Sequence, residues 1–455
     1  MVYSIINKSK LEGAYRLDAE YYQPEYLEIE RKLNSIHTKP LDEISESVIS
    51  FGAYSLTNYI EWQESGVPYL NVENIRNGYI EFDGVKFISE KVDEILNKSR
   101  VKEGQVIITM AGTIGEVAVA HKIPKKVNSN QATAKITLKK DFSPYYLAAF
   151  LNSYYGREQT DREIVSSVQP NIFLGQIKNF KVPLMSTQKQ REIEEFYKKY
   201  LDELEFSKSF YHQAENLLLE ELGLNDFQIE DNLSFVVNLS EVKEANRIDA
   251  EYFQPKYEKL VARLKAQNAK QLGELVSMKK GVEPGSEAYE EEGKLFIRVS
   301  SLSKFRIDQT DQKYLSEELY QKLKINYEPK VGEILLTKDA TPGIAYVLKE
   351  PVEGIISGGI VRLKGKPDID PEYLALCINS IIGKMQAERD AGGSVIMHWK
   401  PEQIRNILIP ILPRGTQQKI AELVRKSHEA RKRSKELLEE AKRKVENHVE
   451  RGRND

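Results

Sequence analysis

The chain has little of the material from which disulfide frameworks, metal clusters and membrane spans are built. Its 455 residues include one cysteine, Cys377, and six histidines without metal-ligand spacing, so we expect no disulfide framework and no metal site. No run of apolar residues approaches the roughly 18 that a membrane-spanning helix needs. The first residues lack the apolar stretch of a secretory signal. These absences predict a cytoplasmic location.

Catalytic motifs are missing as well. The sequence holds no GxxxxGK[ST] phosphate loop, no HExxH pair and no glycine-rich dinucleotide turn after a strand. The Asn/Asp-Pro-Pro-Tyr/Phe sequence typical of amino-methyltransferases is absent too. Lys and Arg total 66 against 69 Asp and Glu, so net charge gives no sign of nucleic-acid binding. We expect no catalytic residues in this chain, and any binding surface must be local.

An internal repeat organises the chain. Residues 16–26 return almost unchanged as residues 247–257, at an offset of 231. Weaker matches follow in the same order at offsets of 227 or 228, pairing 66–72 with 293–299, 104–109 with 332–337, and 176–179 with 403–406. Collinear matches at nearly one offset indicate a duplicated unit of about 230 residues.

Each copy of the repeat carries the same pattern of elements. Short apolar runs broken by Gly, Pro and Asn, such as 106–109 and 334–337, predict strands, and a short helical stretch follows them. Each copy closes with apolar residues at steps of three and four, over 187–222 and 416–451, which predicts two helices of about 36 residues. The predicted fold class is α+β, with two similar globular domains in a pseudo-twofold internal repeat and two long helices.

Charge indicates that the two long helices pair with each other. Residues 187–222 carry five basic and nine acidic residues, and residues 416–451 carry eleven basic and seven acidic. Opposite net charge on two apolar stripes favours an antiparallel coiled coil. The alternative is that each helix packs on its own domain and exposes its outer face to solvent. The residues expected in the pairing are Ile193, Tyr197, Leu204, Tyr211, Leu217, Ile420, Val424, Leu438 and Val445.

Features typical of nucleic-acid binding are confined to one stretch of the first copy. Residues 98–140 hold nine basic residues against two acidic ones, enough for salt-dependent phosphate contacts. Polar loops at 109–113 and 128–131 offer amides that can pair with adenine. A lysine-rich solvated face with ordinary hairpin loops explains the same pattern. The candidate DNA contacts here are Thr109, Met110, Thr113, Lys122, Lys125, Lys126, Asn128, Asn130 and Gln131.

The arrangement resembles the specificity (S) subunit of type I restriction-modification enzymes over nearly the whole chain. The matching segments are the doubled openings 16–26 and 247–257, and then 104–115, 168–172, 180–184, 188–193, 408–413 and 417–420. The resemblance implies that each globular domain is a target recognition domain reading one half of a split DNA site. It implies the domains 1–186 and 223–415, with 187–222 and 416–455 as helices that set the spacing and dock modification subunits.

The resemblance also implies partners, cofactors and further DNA contacts. The expected partners are double-stranded DNA, two modification (methyltransferase) subunits, and a restriction subunit with nuclease and translocase activity. S-adenosylmethionine, ATP and Mg²⁺ are expected in those partner subunits. The second copy departs from the family pattern at 337–343 and 394–399. The further candidate contacts are Gln169, Asn171, Arg298, Thr337, Lys338, Thr341, Ser394, His398, Trp399 and Lys400.

Two other functions stay open on the sequence. One is a stand-alone or fused restriction endonuclease or methyltransferase that uses the same domains. The missing catalytic motifs argue against it, and DNA cleavage by the purified chain alone would favour it. The other is an interaction protein that dimerises through its long helices and has no DNA-modifying partners. Size-exclusion chromatography with and without candidate modification subunits distinguishes it.

Overall fold

A computed structural model describes most of the chain, and it divides the chain into two compact units. The described residues are 4–9, 11, 16–50, 60–164, 170–227, 232–308, 312–391 and 397–452. Unit 1 comprises Met1–Glu205 with Arg431–Asp455, and unit 2 comprises Phe206–Ala430. Each unit therefore contains part of both long helices. The division expected from the sequence, with domains 1–186 and 223–415 and with 187–222 and 416–455 as separate helical segments, stays a prediction.

Up to residue 221, the part of the chain that the structure describes contains seven α-helices and eleven strands. The helices are α1 (Pro24–Ser35), α2 (Leu41–Ile44), α3 (Glu90–Ile95), α4 (Pro144–Asn152), α5 (Tyr154–Glu163), α6 (Leu174–Lys178) and α7 (Thr187–Glu221). The strands are β1 (Thr38–Pro40), β2 (Ser45–Ser50), β3 (Val67–Leu70), β4 (Ile75–Arg76), β5 (Tyr79–Ile80), β6 (Lys86–Ile88), β7 (Val106–Thr109), β8 (Val117–Val119), β9 (Asn128–Ser129), β10 (Thr133–Leu138) and β11 (Lys181–Pro183).

The elements after residue 221 follow the same order, without strands corresponding to β4 and β5 among the described residues. The helices are α8 (Leu239–Ala245), α9 (Pro255–Ala266), α10 (Leu272–Leu275), α11 (Glu317–Tyr327), α12 (Pro371–Asn379), α13 (Ile381–Asp390), α14 (Pro401–Asn406) and α15 (Arg414–Arg451). The strands are β12 (Ala269–Gln271), β13 (Val276–Lys280), β14 (Lys294–Ile297), β15 (Lys313–Leu315), β16 (Ile334–Thr337), β17 (Ala345–Val347), β18 (Gly354–Ile356), β19 (Ile360–Gly365) and β20 (Leu408–Pro410).

The two units share the topology of their two larger sheets, while the two-stranded sheet β4-β5 of unit 1 has no counterpart among the described residues of unit 2. Unit 1 has a four-stranded antiparallel sheet of order β2-β10-β7-β8 and a three-stranded sheet of order β6-β3-β9. Unit 2 repeats them as β13-β19-β16-β17 and β15-β14-β18. In both three-stranded sheets the last pair is parallel, β3 with β9 and β14 with β18. The sequence repeat is thus a repeat of fold, and the predicted α+β class is confirmed.

The four-stranded sheet of unit 1 is buried on both faces. Side chains alternate along a strand, so Val106 and Ile108 of β7 join a core with α4 and the long helices. Ile107, between them, joins a second core under the three-stranded sheet. Burial on both faces explains why this strand, like β16 in unit 2, is a continuous apolar run without polar alternation.

The long helices α7 and α15 pack antiparallel. In unit 1, Lys444 Nζ lies 3.9 Å from Glu192 and Arg433 Nε lies 3.3 Å from Glu203. Residue numbers rise from Glu192 to Glu203 along α7 while those of their partners fall from Lys444 to Arg433 along α15, so the two helices run antiparallel. Opposite charges meet at both positions, as the sequence predicts. The stripe residues Ile193, Leu204, Tyr211, Ile420, Val424, Leu438 and Val445 are buried, and Leu217 is partly buried.

The same stripe also packs on the globular part of its unit. Tyr197 is fully buried, and its hydroxyl donates to the Gly78 carbonyl at 2.6 Å. One turn on, the Tyr200 hydroxyl donates to the Asn77 carbonyl at 2.7 Å. Pairing of the helices with each other and packing of a helix on its own domain therefore occur together. The apolar face is wide enough to contact both the other helix and the domain.

Candidate functional site

Three segments of unit 1 meet beside the end of β7. We call them together the first corner: the turn 109–113, the loop 130–132 and the arm 170–172. The Met110 amide donates to the Ala132 carbonyl at 2.7 Å, and the Ile172 amide donates to the Met110 carbonyl at 3.0 Å. An isolated bridge joins Ala111 to Asn171. The turn is thus held from both sides by backbone hydrogen bonds.

Unit 2 builds the same arrangement from the corresponding segments. We call it the second corner: the turn 337–341, the loop 357–359 and the arm 397–399. The Lys338 amide donates to the Gly359 carbonyl at 2.9 Å, and the Trp399 amide donates to the Lys338 carbonyl at 2.8 Å. A bridge joins Asp339 to His398. Each contact matches one in the first corner at an offset of 227 or 228 residues.

Two candidate DNA contacts, Thr109 and Thr337, close these turns. Both are fully buried, and their hydroxyls donate to the carbonyls of Thr113 and Thr341. Thr109 Oγ1 also accepts from the Glu116 amide at 2.9 Å. We therefore assign both residues a structural role, because their hydroxyls are used within the turn. Thr113 and Thr341 themselves are exposed.

A glycine ends each turn, and its conformation is required. Gly115 has φ of +77° and Gly343 has φ of +95°, values that side-chain-bearing residues rarely adopt. A Cβ added at Gly115 would also lie 2.7 Å from Cγ2 of Thr160. The positive φ of this glycine is therefore a requirement of the turn's backbone.

The side chains at the two corners differ in chemistry. In the second corner, Lys338 Nζ lies 2.6 Å from Asp339 Oδ2, and His398 Nδ1 lies 2.8 Å from Asp339 Oδ1. Burial raises the pKa of the Asp339 carboxyl, but hydrogen bonds from Lys338 and His398 outweigh it, so the pKa lies below its usual value. Met110 and Ala111 occupy the positions of Lys338 and Asp339 in the first corner, so one corner is ionic where the other is neutral.

The loop of the first corner presents two amides. Asn130 donates to Asn71 Oδ1 at 3.3 Å, and its own oxygen accepts from the Ala132 amide at 3.1 Å. Gln131 is partly exposed, and its side chain makes no hydrogen bond within the described residues. Of the two, Gln131 has the greater capacity to bond a base edge. Arg298 of unit 2 stands at the position of Asn71, directly after β14, and is partly buried.

Two other candidates lie inside the units. Asn128 is fully buried, and its amide donates to Asp93 Oδ1 at 2.9 Å while its oxygen accepts from the Ser99 hydroxyl. Trp399 is fully buried at the arm position that Ile172 occupies in unit 1. A side chain with no exposed surface cannot contact DNA, so we correct both assignments. Asn128 satisfies a buried polar network, and Trp399 anchors its arm in the core.

The basic stretch 98–140 carries less available charge than the sequence indicates. Lys122 Nζ lies 3.0 Å from Asp202 and 3.1 Å from Glu205, both on α7. Lys126 pairs with Glu90. Lys135 is fully buried, and burial lowers its pKa to about 8. Arg100 pairs with Asp93 at 2.6 Å.

Lysines that remain exposed lie on both units. Lys125 is exposed in the segment before β9 and makes no ion pair within the described residues. Lys400 is exposed at the start of α14, directly after the second arm.

Two candidate contacts, Gln169 and Ser394, lie outside the described residues. Sequence reasoning missed Asn71 and Asp339 as corner residues, although the offset of 227 already aligns Asn71 with Arg298.

In the part of the chain that the structure describes, no cluster of His, Cys, Asp or Glu side chains could coordinate a metal ion. None of the described helices combines the length and the apolar character needed to cross a bilayer.

A curated protein matches part of this chain. It is the type I restriction enzyme EcoBI specificity subunit of Escherichia coli, which is 25% identical over 131 residues. The match covers 29% of this chain and 27% of that protein, so the chain matches about a quarter of that relative's length.

Solved structures of low sequence identity resemble the chain. A type I restriction-modification S subunit from M. genitalium is 16% identical, with a TM-score of 0.43, and the match covers 90% of this chain and 95% of that chain. The HsdS subunit from Thermoanaerobacter tengcongensis is 14% identical, with a TM-score of 0.29 and coverage of 91% and 96%.

A family model matches the chain twice. The model describes the type I restriction modification DNA specificity domain, and it matches residues 35–215 and 267–443. The two matches fall on the two copies of the repeat and together take in well over half of the chain. The chain belongs to the type I restriction modification DNA specificity domain family.

Proposed function

We propose that the chain is the sequence-specific DNA-binding subunit of a type I restriction-modification complex, and that each unit reads one half of a two-part DNA site. One observation carries this proposal: the two corners share their backbone contacts but present different side chains. A shared backbone places each corner in the same way, while the exposed His398 and the partly exposed Asp339 offer groups that Asn171 and Ala111 do not, and the buried Lys338 holds Asp339 by an ion pair. Different donors and acceptors select different bases.

The long helices provide the spacer and the docking surface in this proposal. Helices α7 and α15 have 35 and 38 residues, so each is more than 50 Å long at ~1.5 Å per residue. One turn of duplex DNA spans ~34 Å, so half-sites more than one turn apart are within reach. Two modification subunits would dock on the paired helices and methylate adenine with S-adenosylmethionine.

Catalysis would belong to the partners. The modification subunits would hold S-adenosylmethionine, and a restriction subunit would use ATP and Mg²⁺ for translocation and cleavage, with the complex acting on DNA in the cytoplasm. The near-balanced charge of this chain supports a division in which partner subunits share the phosphate contacts while the corners contribute base contacts.

Mapping of methylated adenines tests the proposal. A host that carries this chain with modification subunits should methylate a two-part sequence with a fixed gap, and a host without it should not. Exchanging residues 39–186 for those of another family member should change one half only. A continuous recognition sequence, or an exchange that alters both halves, would overturn the proposal. Cleavage of DNA by the purified chain alone would favour a stand-alone nuclease instead.

A further inference from the structure

The repeated opening of each copy builds a network around a tyrosine ring. In unit 1, Arg16 Nε donates to Asp18 Oδ1 at 2.7 Å, and its second nitrogen donates to Asp18 Oδ2 at 2.5 Å. The Arg16 guanidinium carbon lies 4.7 Å from the centroid of the Tyr21 ring, and that of Arg162 lies 4.2 Å from it. Arg162 Nε also donates to the Tyr21 carbonyl at 3.0 Å. Tyr21 is thus contacted by two guanidinium groups from segments far apart in the sequence.

Unit 2 repeats this network residue for residue. Arg247 Nε donates to Asp249 Oδ1 at 2.9 Å. The guanidinium carbons of Arg247 and Arg389 each lie 4.6 Å from the centroid of the Tyr252 ring. Arg389 Nε donates to the Tyr252 carbonyl at 3.2 Å. We call these the first and second tyrosine networks.

The first tyrosine network is connected to the first corner by consecutive hydrogen bonds. Arg162 precedes Glu163, the last residue of α5. Gln176 Nε2 donates to the Glu163 carbonyl at 2.8 Å, and Gln176 Oε1 accepts from the Phe173 amide at 2.7 Å. The next residue toward the N-terminus is Ile172, whose amide donates to Met110 in the turn. The helix that contacts Tyr21 is therefore bonded to the start of α6, and so to the arm.

The second tyrosine network is connected in the same way. Arg247 Nη1 donates to the Asp390 carbonyl at 3.1 Å, and Gln403 Nε2 donates to the same oxygen at 2.8 Å. Gln403 Oε1 accepts from the Lys400 amide at 3.0 Å. Lys400 follows Trp399, whose amide donates to the Lys338 carbonyl in the turn.

The networks lie at the edge of the fold, outside the apolar clusters. Neither Tyr21 nor Tyr252 belongs to a hydrophobic core cluster, and both are partly exposed. The Arg, Asp and Tyr residues are identical in the two copies, whereas the corner side chains differ. A role in general stability does not explain why both networks are bonded to an arm.

Resting on the proposed function, we propose that each tyrosine network is a positioning device for the corner of its own unit. Base readout depends on donors and acceptors held within about 0.5 Å of their productive positions. Tyr21, Arg16 and Arg162 would fix the end of α5, Gln176 would transmit that position to the arm, and the arm would fix the turn. Tyr252, Arg247 and Arg389 would do the same for the second corner.

Binding of the assembled complex to defined duplexes tests this. The probes are the duplex with the mapped site, two duplexes scrambled in one half each, and one scrambled in both. Discrimination at a half-site is the ratio of affinities for the mapped and the half-scrambled duplex. Tyr21→Leu should reduce discrimination at the half-site of unit 1 on the order of tenfold, the loss expected when one base contact is misplaced. Discrimination at the other half and affinity for the fully scrambled duplex should stay within twofold.

Tyr252→Leu is the matched variant and should give the mirror-image result. Tyr252→Phe is the control, because it keeps the ring that the guanidinium groups contact, and it should bind as the wild type does. Tyr21→Phe also keeps the ring but removes the hydrogen bond from the Tyr21 hydroxyl to Glu163 Oε1 at 3.2 Å, so a loss smaller than that of Tyr21→Leu is expected. If the Leu variants fail to fold, Arg16→Lys and Arg247→Lys replace them. A lysine keeps the charge but cannot form the two-pronged bond to Asp18 or Asp249, so a smaller loss at the same half-site is expected.

Three results would overturn the positioning role: equal losses at both half-sites, no loss at either, or a Tyr252→Phe variant that behaves as Tyr252→Leu does. A wild-type complex that discriminates at neither half-site would instead overturn the proposed function, and the positioning role with it. The wild-type measurement and the variant measurements thus separate the two failures.

Discussion

Ser207 Oγ lies 3.2 Å from Ser427 Oγ in the buried face between α7 and α15. The Ser427 hydroxyl donates to the Ser207 carbonyl at 2.7 Å, and both residues are fully buried. A shift of either helix by one turn would place these hydroxyls against apolar side chains without a partner, which is costly. This polar pair therefore adds a register signal to the charge complementarity of the two helices.

The serine pair predicts a coupled effect on stability. Ser427→Ala should cost about 1 kcal/mol of unfolding free energy, because it removes a buried partner of the Ser207 hydroxyl. Ser207→Ala should cost less, because the Ser427 hydroxyl still donates to the backbone carbonyl of residue 207. The double variant should cost less than the sum of the two. Denaturant unfolding of all three measures the coupling, with the exposed Ser209→Ala as control. Strictly additive costs would show that the two hydroxyls do not interact.

The apolar face of α7 predicts a position-specific effect of charge. Leu218 is fully buried, whereas Asn216 on the same helix is exposed. Leu218→Asp should cost about 3 kcal/mol or more of unfolding free energy, since a carboxylate is moved out of water. Asn216→Asp introduces the same group and should change stability by less than about 0.5 kcal/mol. Equal melting temperatures for the two variants would contradict the burial of this face of α7.

The loop of the first corner predicts a selective loss of base recognition. Gln131→Ala should relax one base position in the half-site of unit 1, at about 1–3 kcal/mol of discrimination. Methylation mapping and competition binding measure it. Gln213→Ala, on the exposed side of α7, serves as the control and should leave the recognised sequence unchanged. If the relaxed base position lies in the other half-site, Gln131 does not contact a base in the half-site of unit 1.

The repeat, the element types and the helix pairing could be predicted because they are local or periodic properties. The stripe over 187–222 needs only a spacing of three and four residues, and the repeat needs only collinear matches. Prolines at the first position of α1, α4, α9 and α12 mark the helix starts in the same local way. Such signals survive in one sequence without any knowledge of contacts.

The burial and pairing of the candidate site residues could not be predicted because they depend on contacts between distant segments. Asn128 follows an exposed basic run, yet the parallel pairing of β9 with β3 places it beside Asp93 in the interior. Lys122 and Lys126 add to a count of positive charge, yet their partners Asp202 and Glu90 lie outside the counted stretch. A charge count along the chain does not reveal which charges are paired in the fold.

The lysines of this stretch predict different salt dependence of DNA binding. Lys125→Ala should lower the slope of log affinity against log salt by about one, if its exposed ammonium neutralises one phosphate. Lys126→Ala should lower it less, because Glu90 already pairs with that lysine. Within each variant, affinity for the mapped duplex and affinity for the scrambled duplex should fall by the same factor, since phosphates carry no sequence information. An unchanged slope for Lys125→Ala would place the DNA-facing surface elsewhere on unit 1.

Lys135 predicts that stability rises with pH. It lies fully buried in β10, and its ammonium donates to Ser129 Oγ at 2.9 Å. Burial lowers its pKa from 10.5 to about 8, so between these pH values the unfolded chain binds a proton that the folded chain does not. The contribution of this residue to the unfolding free energy should therefore increase from pH 8 to 10.5, by about 3 kcal/mol in total.

Below pH 8 the full cost of the buried charge remains. Lys135→Met should therefore stabilise the protein at pH 7 by about 2 kcal/mol, after loss of the bond to Ser129. Denaturant unfolding at pH 7 and 9.5 should show this advantage shrinking, while the exposed Lys140→Met shows none at either pH. A destabilised Lys135→Met at pH 7 would mean that the fold solvates this ammonium better than its burial implies.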